Sequence, residues 1–543
     1  MAVVQALLGH VAAAPASAPI EVANGHVEMV TPAFEQFVQE QMDKWHVPGA
    51  AISIIDGDNT WTKGFGYSSP DKRPVTTDTL FFCGSMTKSV TAAAMSLLVD
   101  ESANNSCVTW DTPVSKILPE FVLSDQWATD HITITDALTH RTGYPRHDLS
   151  GPYHNDTAEM IHRFRYLPMS AEPRTKWQYN NMMFATIGHL IERLSSCSLA
   201  HFFRDRLWHP MGMMHTYLHP GEAVANGEDL SHSFYWDNDT ETFHTMSQYD
   251  ESNIAGAGMA LTSVTDWTKY LQHMLDESGP ISKKGYASLK KAHMIGEEGN
   301  GVLDGVFTGQ VDYGLGWDVG VFENERIWWH SGFVNQMISF MAFVPSRKFA
   351  FVVFMNTNGL AALDKTFSTI MYDYFKVDNA RRFDTEKVYA NFTSETNTML
   401  DTCSATLYPS LPPAAPQTAP APLESFLGTY HNDGYGTVSV SRECDFNNPD
   451  NSPAMLTLLD GHCILTVKKG NTFGNPVSWK LEHVSGEYWV AWFYMDDYAT
   501  LRRPTRCFRA QFGLDEAGKP VTLSIDMRDE GLETPLVDFT RIN

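Results

Sequence analysis

A stretch rich in proline and alanine limits the possible folds of this chain more than any other feature. Leu411 to Pro422 reads LPPAAPQTAPAP. Proline lacks a backbone N–H and fixes its own φ, so this stretch can be neither a helix nor a central strand and is predicted to be a semi-extended linker. The predicted organisation is an N-terminal segment (1–30), a large domain (31–405), a linker (406–423) and a smaller domain (424–543).

The part after the linker has the pattern of antiparallel strands. Residues 434–441 alternate between polar and apolar types, and three further strand-like runs are bounded by Gly, Asp and Asn. Those runs are 455–467, 487–494 and 520–527. The pattern predicts a small all-β domain, an antiparallel barrel or a sandwich.

The larger part mixes strands and helices. Apolar runs predict strands at Val47–Ile55, Thr60–Tyr67, Ile327–Trp329, Gln336–Val344 and Phe349–Met355. Helical spacing covers Ser85–Asp100, Met182–Leu194 and Thr265–Leu275. Strands open and close this domain and helices fill its middle, so we expect an α/β (α+β) layout with one sheet assembled from both ends.

The net charge and the apolar pattern bear on partners and location. The 64 acidic side chains outnumber 39 basic ones, for a formal net charge of −25. Because this charge repels phosphate backbones, we expect no nucleic-acid partner. No apolar run reaches the roughly 18 residues of a membrane span, so none is expected. Met1 to Ala18 is apolar and ends in small residues, like a secretory signal, but it has no basic n-region and is interrupted by Gln5 and His10. It weakly favours secretion and leaves a cytoplasmic location open.

One motif near the first predicted helix has the strongest chemical signal. Residues 82–88 read FCGSMTK, and residues three apart share a helix face, so Ser85 and Lys88 can meet. Ser-x-x-Lys also arises by chance, and two other copies begin at Ser69, in a turn, and at Ser288, in a charged stretch. Only Lys88 lies on an apolar helix, where burying a lysine without a role is costly. Ser85 is therefore the candidate nucleophile.

Two further motifs offer groups for the same site, although each pattern also occurs elsewhere in the chain. Tyr179 precedes the second helix together with Asn181. A tyrosine with a pKa of about 10 is a poor base unless a nearby ammonium lowers that pKa, and Lys88 can supply one. His330 and Gly332 follow an aromatic strand, where a small residue would let a substrate lie against the strand edge.

Competing chemistries find little support. The sequence has no Gly-x-Ser-x-Gly elbow, no His-Glu-x-x-His and no Walker motif. His215 and His219 have the spacing of zinc ligands, but Pro220 follows them directly, which disfavours a zinc helix. We therefore expect chemistry that uses neither a metal nor a cofactor. Seven cysteines without a Cys-x-x-Cys pair leave at least one unpaired within the chain.

The three motifs occur in the order and spacing of one family. With them, the chain resembles the serine β-lactamase and penicillin-binding-protein superfamily in its class C-like branch. That branch also contains DD-peptidases, D-aminopeptidases, carboxylesterases and acyltransferases. The resemblance covers roughly residues 32 to 375, and the tail from Gly428 is similar to the lipocalin-like domain of some members. The motifs are Ser85-x-x-Lys88, Tyr179-x-Asn181 and His330-x-Gly332.

The resemblance implies an antiparallel sheet flanked by helices, a helical subdomain and an acyl-enzyme mechanism. Ser85 would attack a carbonyl, and Tyr179, as its anion or through Lys88, would take the proton and return it to the leaving group. Asn181 would position the substrate. The backbone N–H groups of Ser85 and Phe333 would bind the oxyanion.

His330 departs from the pattern of β-lactamases in this branch, which have a lysine at that position. Histidine is largely neutral at pH 7 and attracts a substrate carboxylate only weakly. We therefore expect cleavage of an ester, lactone or amide of a small molecule rather than efficient β-lactam hydrolysis. Acyl transfer to an alcohol or amine and D-amino-acid peptidase activity remain open. The intact motifs disfavour a catalytically idle binding protein, and the sequence does not indicate the oligomeric state.

Overall fold

The structure of this chain is a computed structural model. The predicted signal (Met1–Ala18), most of the predicted linker and the first half of the strand predicted over 455–467 lie outside the described residues. The described residues are 27–102, 108–151, 156–238, 240–246, 252–296, 305–307, 309–409, 421–444, 463–472, 475–495, 504, 506–527 and 536–543.

An antiparallel sheet organises the N-terminal domain. The strands of this domain are β1 (Gly49–Asp56), β2 (Asn59–Gly66), β3 (Phe81–Phe82), β4 (Phe234–Asp237), β5 (Thr242–Thr245), β6 (Leu261–Thr262), β7 (Met294–Ile295), β8 (Asp312–Tyr313), β9 (Asp318–Phe322), β10 (Glu325–Val334), β11 (Met337–Val344) and β12 (Phe349–Met355). Eight of them form one sheet in the order β2-β1-β12-β11-β10-β9-β8-β7. Because β1 pairs with β12, the prediction of a sheet built from both ends of the domain is confirmed.

Helices flank this sheet and also pack on one another. Their bounds are α1 (Pro32–Lys44), α2 (Thr87–Ser102), α3 (Gln126–His131), α4 (Ile134–Leu138), α5 (Thr157–Arg163), α6 (Asn181–Ser195), α7 (Leu199–Phe203), α8 (Pro220–Ala225), α9 (Ala255–Gly258), α10 (Val264–Asp276), α11 (Lys283–Leu289), α12 (Leu360–Tyr374), α13 (Thr385–Asp401) and α14 (Cys403–Leu407). The helix α6 packs against α2, α4, α5 and α9, which together form the expected helical subdomain. The helices predicted at 182–194 and 265–275 correspond to α6 and α10, each one residue longer at both ends.

The two faces of the sheet belong to different hydrophobic cores. Ile52 and its register partner Val353 lie in the core that includes residues of α1 and α12. Ala51 and its partner Phe354 lie in the core that includes residues of α2 and α10. Side chains alternate between the faces of a strand, so a sheet covered on both faces needs continuous apolar strands. This explains why β11 and β12 are buried along their whole length.

The C-terminal domain is a closed antiparallel barrel of eight strands, which confirms the predicted all-β fold. Its strands are β13 (Gly428–Asn432), β14 (Gly436–Cys444), β15 (Cys463–Thr472), β16 (Asn475–Ser485), β17 (Tyr488–Met495), β18 (Arg506–Leu514), β19 (Pro520–Asp526) and β20 (Leu536–Arg541). Pairing of β13 with β20 closes the barrel and leaves no open edge. No strand was predicted from the sequence at β13, β16, β18 or β20. The finer resemblance to lipocalins and the exact domain boundaries stay predictions.

Two disulfides reinforce the C-terminal part. Cys403 at the start of α14 is bonded to Cys507 in β18, and Cys444 is bonded to Cys463. The hydroxyl of Tyr408 donates hydrogen bonds to the barrel carbonyls of Trp489 (2.7 Å) and Ala510 (3.1 Å). The start of α14 is therefore attached to the barrel covalently, and the residue that follows its end is attached by hydrogen bonds. Among the described residues, Cys83 and Cys197 are free thiols.

The bond between Cys403 and Cys507 closes a loop with a sequence separation of 104. Replacing both cysteines by serine should lower the barrel's free energy of unfolding by about 2–5 kcal/mol, because the unfolded chain gains freedom. Urea unfolding followed by tryptophan fluorescence measures this change. The matched control is Cys197→Ser, which removes a free, half-buried thiol. Equal unfolding midpoints for the double variant and the control would contradict the prediction.

Candidate active site

Ser85 lies on a tight turn that leads from the sheet side of the domain into α2. After β3 the chain forms one 3₁₀ turn, Gly84–Met86, and α2 starts at Thr87. Gly84 has a φ of +54°, which a residue with a side chain rarely adopts. Gly84 and Met86, the two neighbours of Ser85, are buried, whereas Ser85 itself is partly exposed. The turn therefore presents the serine hydroxyl at the surface of the helical subdomain.

The amine of Lys88 makes three hydrogen bonds and is fully buried. Its side chain is 0% exposed. The Nζ donates hydrogen bonds to Ser85 Oγ (3.0 Å), Asn181 Oδ1 (2.7 Å) and the carbonyl oxygen of Ala257 (2.8 Å). Burial, and secondarily the charge of Arg146, hold the pKa of Lys88 well below its usual value of 10.5. A buried amine of this kind can lose its proton and then accept one from the adjacent serine.

Tyr179 lies against both Ser85 and Lys88. The Lys88 Nζ is 4.7 Å from the centre of the tyrosine ring, and the guanidinium carbon of Arg146 is 4.9 Å from that centre. Burial raises the pKa of Tyr179 above its usual value of 10, although a hydrogen bond with Ser85 and the charge of Arg146 act in the opposite direction. The expectation that Lys88 lowers the pKa of Tyr179 is therefore wrong, since burial outweighs the nearby charge. Tyr179 is a protonated hydroxyl at neutral pH.

Asn181 links the lysine to a neighbouring turn. It is the first residue of α6, whose cap Asn180 accepts a hydrogen bond from the Met183 amide (2.9 Å). The Asn181 side-chain amide donates to both carboxylate oxygens of Asp148 (3.3 Å each), while its oxygen accepts from Lys88. Both ends of the Asn181 side chain are thus held by charged partners.

A charged pair that was not predicted lies beside these groups. Arg146 and Asp148 form an ion pair of 2.9 Å where the chain enters the 3₁₀ segment Asp148–Ser150. Their segment is neither periodic nor part of a recognisable motif, so no sequence signal pointed to it. His140 was missed as well; its Nδ1 accepts from the Asn180 amide (3.0 Å), and its ring centre is 4.4 Å from that of Tyr179.

His330 lies on β10, behind the site and almost fully buried (3% exposed). Its Nε2 is 3.1 Å from the hydroxyl of Tyr313, and its Nδ1 is 2.6 Å from the carbonyl oxygen of Ser331. Nδ1 can only donate to a carbonyl, so Nε2 accepts from Tyr313. Burial, and secondarily the charge of Lys88, lower the pKa of His330 to about 3. His330 is therefore neutral at pH 7 and offers no fixed positive charge to a substrate.

Gly332 lets β10 approach the turn that contains Ser85. A Cβ on Gly332 would collide with the carbonyl oxygen of Cys83, and a Cβ on Gly84 would collide with the backbone nitrogen of Phe333. The Phe333 N–H therefore lies next to the turn of Ser85, while the Phe333 side chain is 50% exposed. Within the described residues, the pairing of β10 with β9 ends at Trp329. The part of β10 from His330 onward thus has one sheet neighbour, and its other edge faces the site.

The structure thus brings all seven predicted residues to one place. Ser85, Lys88 and Asn181 are joined by direct hydrogen bonds, and Tyr179 contacts the first two. Gly332 and Phe333 border the same turn, and His330 lies close enough to Lys88 for that charge to lower the pKa of His330. In the part of the chain that the structure describes, no group of three or more His, Cys, Asp or Glu side chains is arranged to hold a metal ion. No helix among the same residues is long and apolar enough to cross a membrane.

Residues 34–368 match the model of the family described as Beta-lactamase. The chain belongs to this family. A second model, described as a domain of unknown function (DUF3471), matches residues 412–541, the region of the barrel. The beta-lactamase family comprises serine hydrolases, in agreement with the serine and lysine found together in the site. The resemblance inferred from the three motifs is thereby confirmed.

Several proteins are similar over most of the chain. An unguisins hydrolase of Aspergillus campestris is 34% identical over 419 residues, 75% of this chain and 77% of that protein. An unguisins hydrolase of Aspergillus violaceofuscus is 28% identical over 515 residues, 91% of this chain and 87% of that protein. The octameric penicillin-binding protein homologue from Pyrococcus abyssi superposes with a TM-score of 0.57 at 19% identity and covers 94% of this chain and 99% of its own. The last likeness shows the shared fold alone.

The reactivity of Ser85 should follow the protonation of Lys88. We expect the neutral amine to be the active form, and burial, together with the charge of Arg146, lowers its pKa. The rate of modification by a fluorophosphonate should therefore rise with pH and level off well below 10.5. Lys88→Arg should show no such rise, because a guanidinium stays charged throughout this range. Intact-mass labelling rates between pH 5 and 10 test both statements. A rise centred near 10.5, or equal profiles for both proteins, would contradict them.

A second prediction concerns Gly332, whose missing side chain lets β10 approach the Ser85 turn. In Gly332→Ala the new methyl group must push β10 away from the Ser85 turn and displace the Phe333 N–H. Losing one oxyanion donor typically costs about 10²–10³-fold in rate, and we expect a fall of that order in fluorophosphonate labelling. Gly221→Ala is the control, since a Cβ there would meet no atom within 4 Å. Wild-type labelling by Gly332→Ala would show that the approach is not needed.

Proposed function

We propose that this protein hydrolyses a small molecule through an acyl-enzyme on Ser85, and that its substrate is an unguisin or a chemically related compound. The observation that supports the mechanism best is the buried Lys88 amine, with its hydrogen bond of 3.0 Å to Ser85 Oγ and its lowered pKa. The substrate class is supported by the two unguisins hydrolases, which are similar over 75% and 91% of this chain. The bond that is cleaved is an amide, ester or lactone.

In the acylation step, neutral Lys88 takes the proton of the Ser85 hydroxyl, and Ser85 Oγ forms a bond to the substrate carbonyl carbon. The carbonyl oxygen becomes an oxyanion that accepts hydrogen bonds from the N–H groups of Ser85 and Phe333. When the bond to the leaving group breaks, the leaving group takes up the proton from the hydroxyl of Tyr179, which Lys88 then reprotonates. This step leaves an ester on Ser85 and neutral Lys88.

In the second step, a water molecule replaces the leaving group. Lys88 takes a proton from the water through Tyr179, and the water oxygen attacks the ester carbonyl carbon. The bond to Ser85 Oγ breaks, Lys88 gives the proton to Ser85 Oγ, and the acid product leaves with Lys88 neutral again. The raised pKa of Tyr179 suits a hydroxyl that passes protons on without remaining ionised.

The remaining side chains position these groups and shape the substrate preference. Asn181 holds the Lys88 amine by its side-chain oxygen (2.7 Å), and we propose that it also contacts the substrate. His330 is neutral and accepts from Tyr313 (3.1 Å), so this face attracts a substrate carboxylate only weakly. The arrangement therefore favours an uncharged acyl group beside β10.

A fluorophosphonate probe tests the nucleophile directly. Wild type should gain one adduct in intact mass, and Ser85→Ala should gain none, because the probe reacts only with an activated hydroxyl. An adduct that persists in Ser85→Ala would overturn the assignment of Ser85.

The substrate class needs its own experiment. Wild type incubated with an unguisin should yield hydrolysis products whose masses add up to the mass of the compound plus one water, and Ser85→Ala should leave the compound unchanged. If Ser85 reacts with the probe but unguisins remain intact, the substrate class is wrong and the acyl-enzyme mechanism stands. If a product incorporates an added alcohol or amine in preference to water, the enzyme is an acyltransferase.

A further inference from the structure

A hairpin of the C-terminal barrel contacts the catalytic domain beside the active site. The hairpin joins β13 to β14 through the turn 433–435. The side-chain oxygen of Asn432 accepts hydrogen bonds from the amides of Gly434 (2.9 Å) and Tyr435 (2.8 Å), which fixes the shape of this turn. A Cβ on Gly434 would lie 2.8 Å from Leu167 Cδ2 and 3.0 Å from the Tyr166 carbonyl oxygen. The turn therefore fits closely against the end of the 3₁₀ segment Phe164–Tyr166.

The side chain at the tip of this hairpin enters the catalytic domain. Tyr435 is 2% exposed, and its hydroxyl is 2.7 Å from Nδ1 of His147, which is fully buried. Nε2 of the same histidine is 2.9 Å from the carbonyl oxygen of Pro168. Burial lowers the pKa of His147 to about 4, so the ring is neutral at pH 7. Nε2 therefore donates to Pro168, and Nδ1 accepts from Tyr435.

His147 is held in an unusual backbone conformation. Its φ of +51° lies in the left-handed region, which a residue with a side chain rarely adopts unless its surroundings impose it. The two ring hydrogen bonds, one from each domain, hold the residue in that conformation. Its neighbours in the chain are Arg146 and Asp148, the charged pair of the active site.

From this turn a continuous chain of contacts reaches the nucleophile. Asp148 accepts from Asn181, Asn181 accepts from Lys88 (2.7 Å), and Lys88 donates to Ser85 (3.0 Å). On the other side of the turn, Arg146 lies over the ring of Tyr179 at 4.9 Å. A shift of His147 would therefore move Asn181, a hydrogen-bond partner of Lys88, through Asp148. It would also move the charge of Arg146 beside Tyr179.

We propose that Tyr435 of the barrel is a positioning residue for the catalytic groups: its hydrogen bond to His147 fixes the turn 146–148 and thereby sets Asn181, Lys88 and Tyr179. This inference rests on the proposed acyl-enzyme mechanism. It gives the barrel a part in catalysis, because the active site of the N-terminal domain is complete only when the hairpin is docked. The hairpin acts through His147.

The test compares Tyr435→Phe with Tyr430→Phe. Tyr430 is a fully buried tyrosine of the same barrel whose hydroxyl donates to the Phe426 carbonyl oxygen (2.9 Å), so its loss removes a hydrogen bond inside the barrel only. We expect Tyr435→Phe to lower the second-order rate of fluorophosphonate labelling and kcat by about tenfold or more, since small displacements of catalytic groups have effects of that size. KM should change far less. Tyr430→Phe should keep the wild-type rates.

The pH profile provides a readout that a merely structural role would not move. The groups with charge or titration around Lys88 are Arg146 and Asp148 on the turn, His140, His330 and Tyr179. Arg146 lowers the pKa of Lys88 more than Asp148 raises it. Release of the turn weakens both effects, so the net result raises that pKa. The rise of the labelling rate should therefore move to higher pH in Tyr435→Phe and stay in place in Tyr430→Phe.

A second variant separates positioning from instability. His147→Leu removes the same hydrogen bond from the catalytic side, together with the bond to the Pro168 carbonyl oxygen. If the bond acts as proposed, its effect and that of Tyr435→Phe are not additive in the double variant. Provided that wild type reacts with the probe, three results would each overturn the inference. These are wild-type rates and pH profile in Tyr435→Phe, losses in Tyr430→Phe equal to those in Tyr435→Phe, and fully additive effects in the double variant. A wild-type protein that forms no adduct would instead overturn the acyl-enzyme mechanism, and this inference with it.

Discussion

The amine of Lys88 is fully buried, and its three hydrogen bonds connect elements of the catalytic domain that are distant in the sequence. A lysine removed from water is costly unless its donors are satisfied, and three elements meet that need here. Ser85 comes from the turn before α2, Asn181 from the first residue of α6, and Ala257 from α9. The approach of α9 to α6 relies on a residue without a side chain, since a Cβ on Gly256 would lie 2.8 Å from the Phe184 carbonyl oxygen. The packing of the helical subdomain therefore excludes water from the Lys88 amine. The lowered pKa of this amine follows from that burial.

The sheet makes the second contribution, because its topology brings a late strand against an early turn. β1 and β12 join the two ends of the domain, and β10 then lies two strands from β12 in the order of the sheet. Gly332 allows its backbone to reach Cys83, and Ser339 on the neighbouring strand donates to the same Cys83 carbonyl oxygen (2.8 Å). Residues about 250 positions apart thus shape one turn. The oxyanion site that we propose therefore depends on this strand pairing as well as on the two motifs that contain Ser85 and Gly332.

Much of this could be predicted from the sequence, and the failures have physical reasons. The periodicity of α6 and α10 located those helices to within one residue, and the apolar helix around Lys88 distinguished Ser85 from the other Ser-x-x-Lys copies. The left-handed turn at His147 has no periodic pattern, so its functional neighbours were missed. The pKa of Tyr179 was predicted in the wrong direction because burial, the larger effect, depends on tertiary packing. Local patterns identify groups, whereas their electrostatic state depends on distant parts of the chain.

The barrel is attached to the catalytic domain at two places. The disulfide between Cys403 and Cys507 and the hydroxyl of Tyr408 attach the end of the catalytic part to one side of the barrel. The hairpin with Tyr435 contacts the catalytic domain beside the active site. The same interface includes an unfavourable element, because burial and the charge of Arg163 lower the pKa of Lys469 to about 7. The pKa of Lys469 falls from its usual 10.5 to about 7, so docking weakens as the pH falls from about 10.5 to about 7, where the released lysine binds a proton that the docked lysine does not. A covalent attachment on the far side offsets this cost, since it keeps the hairpin at high local concentration.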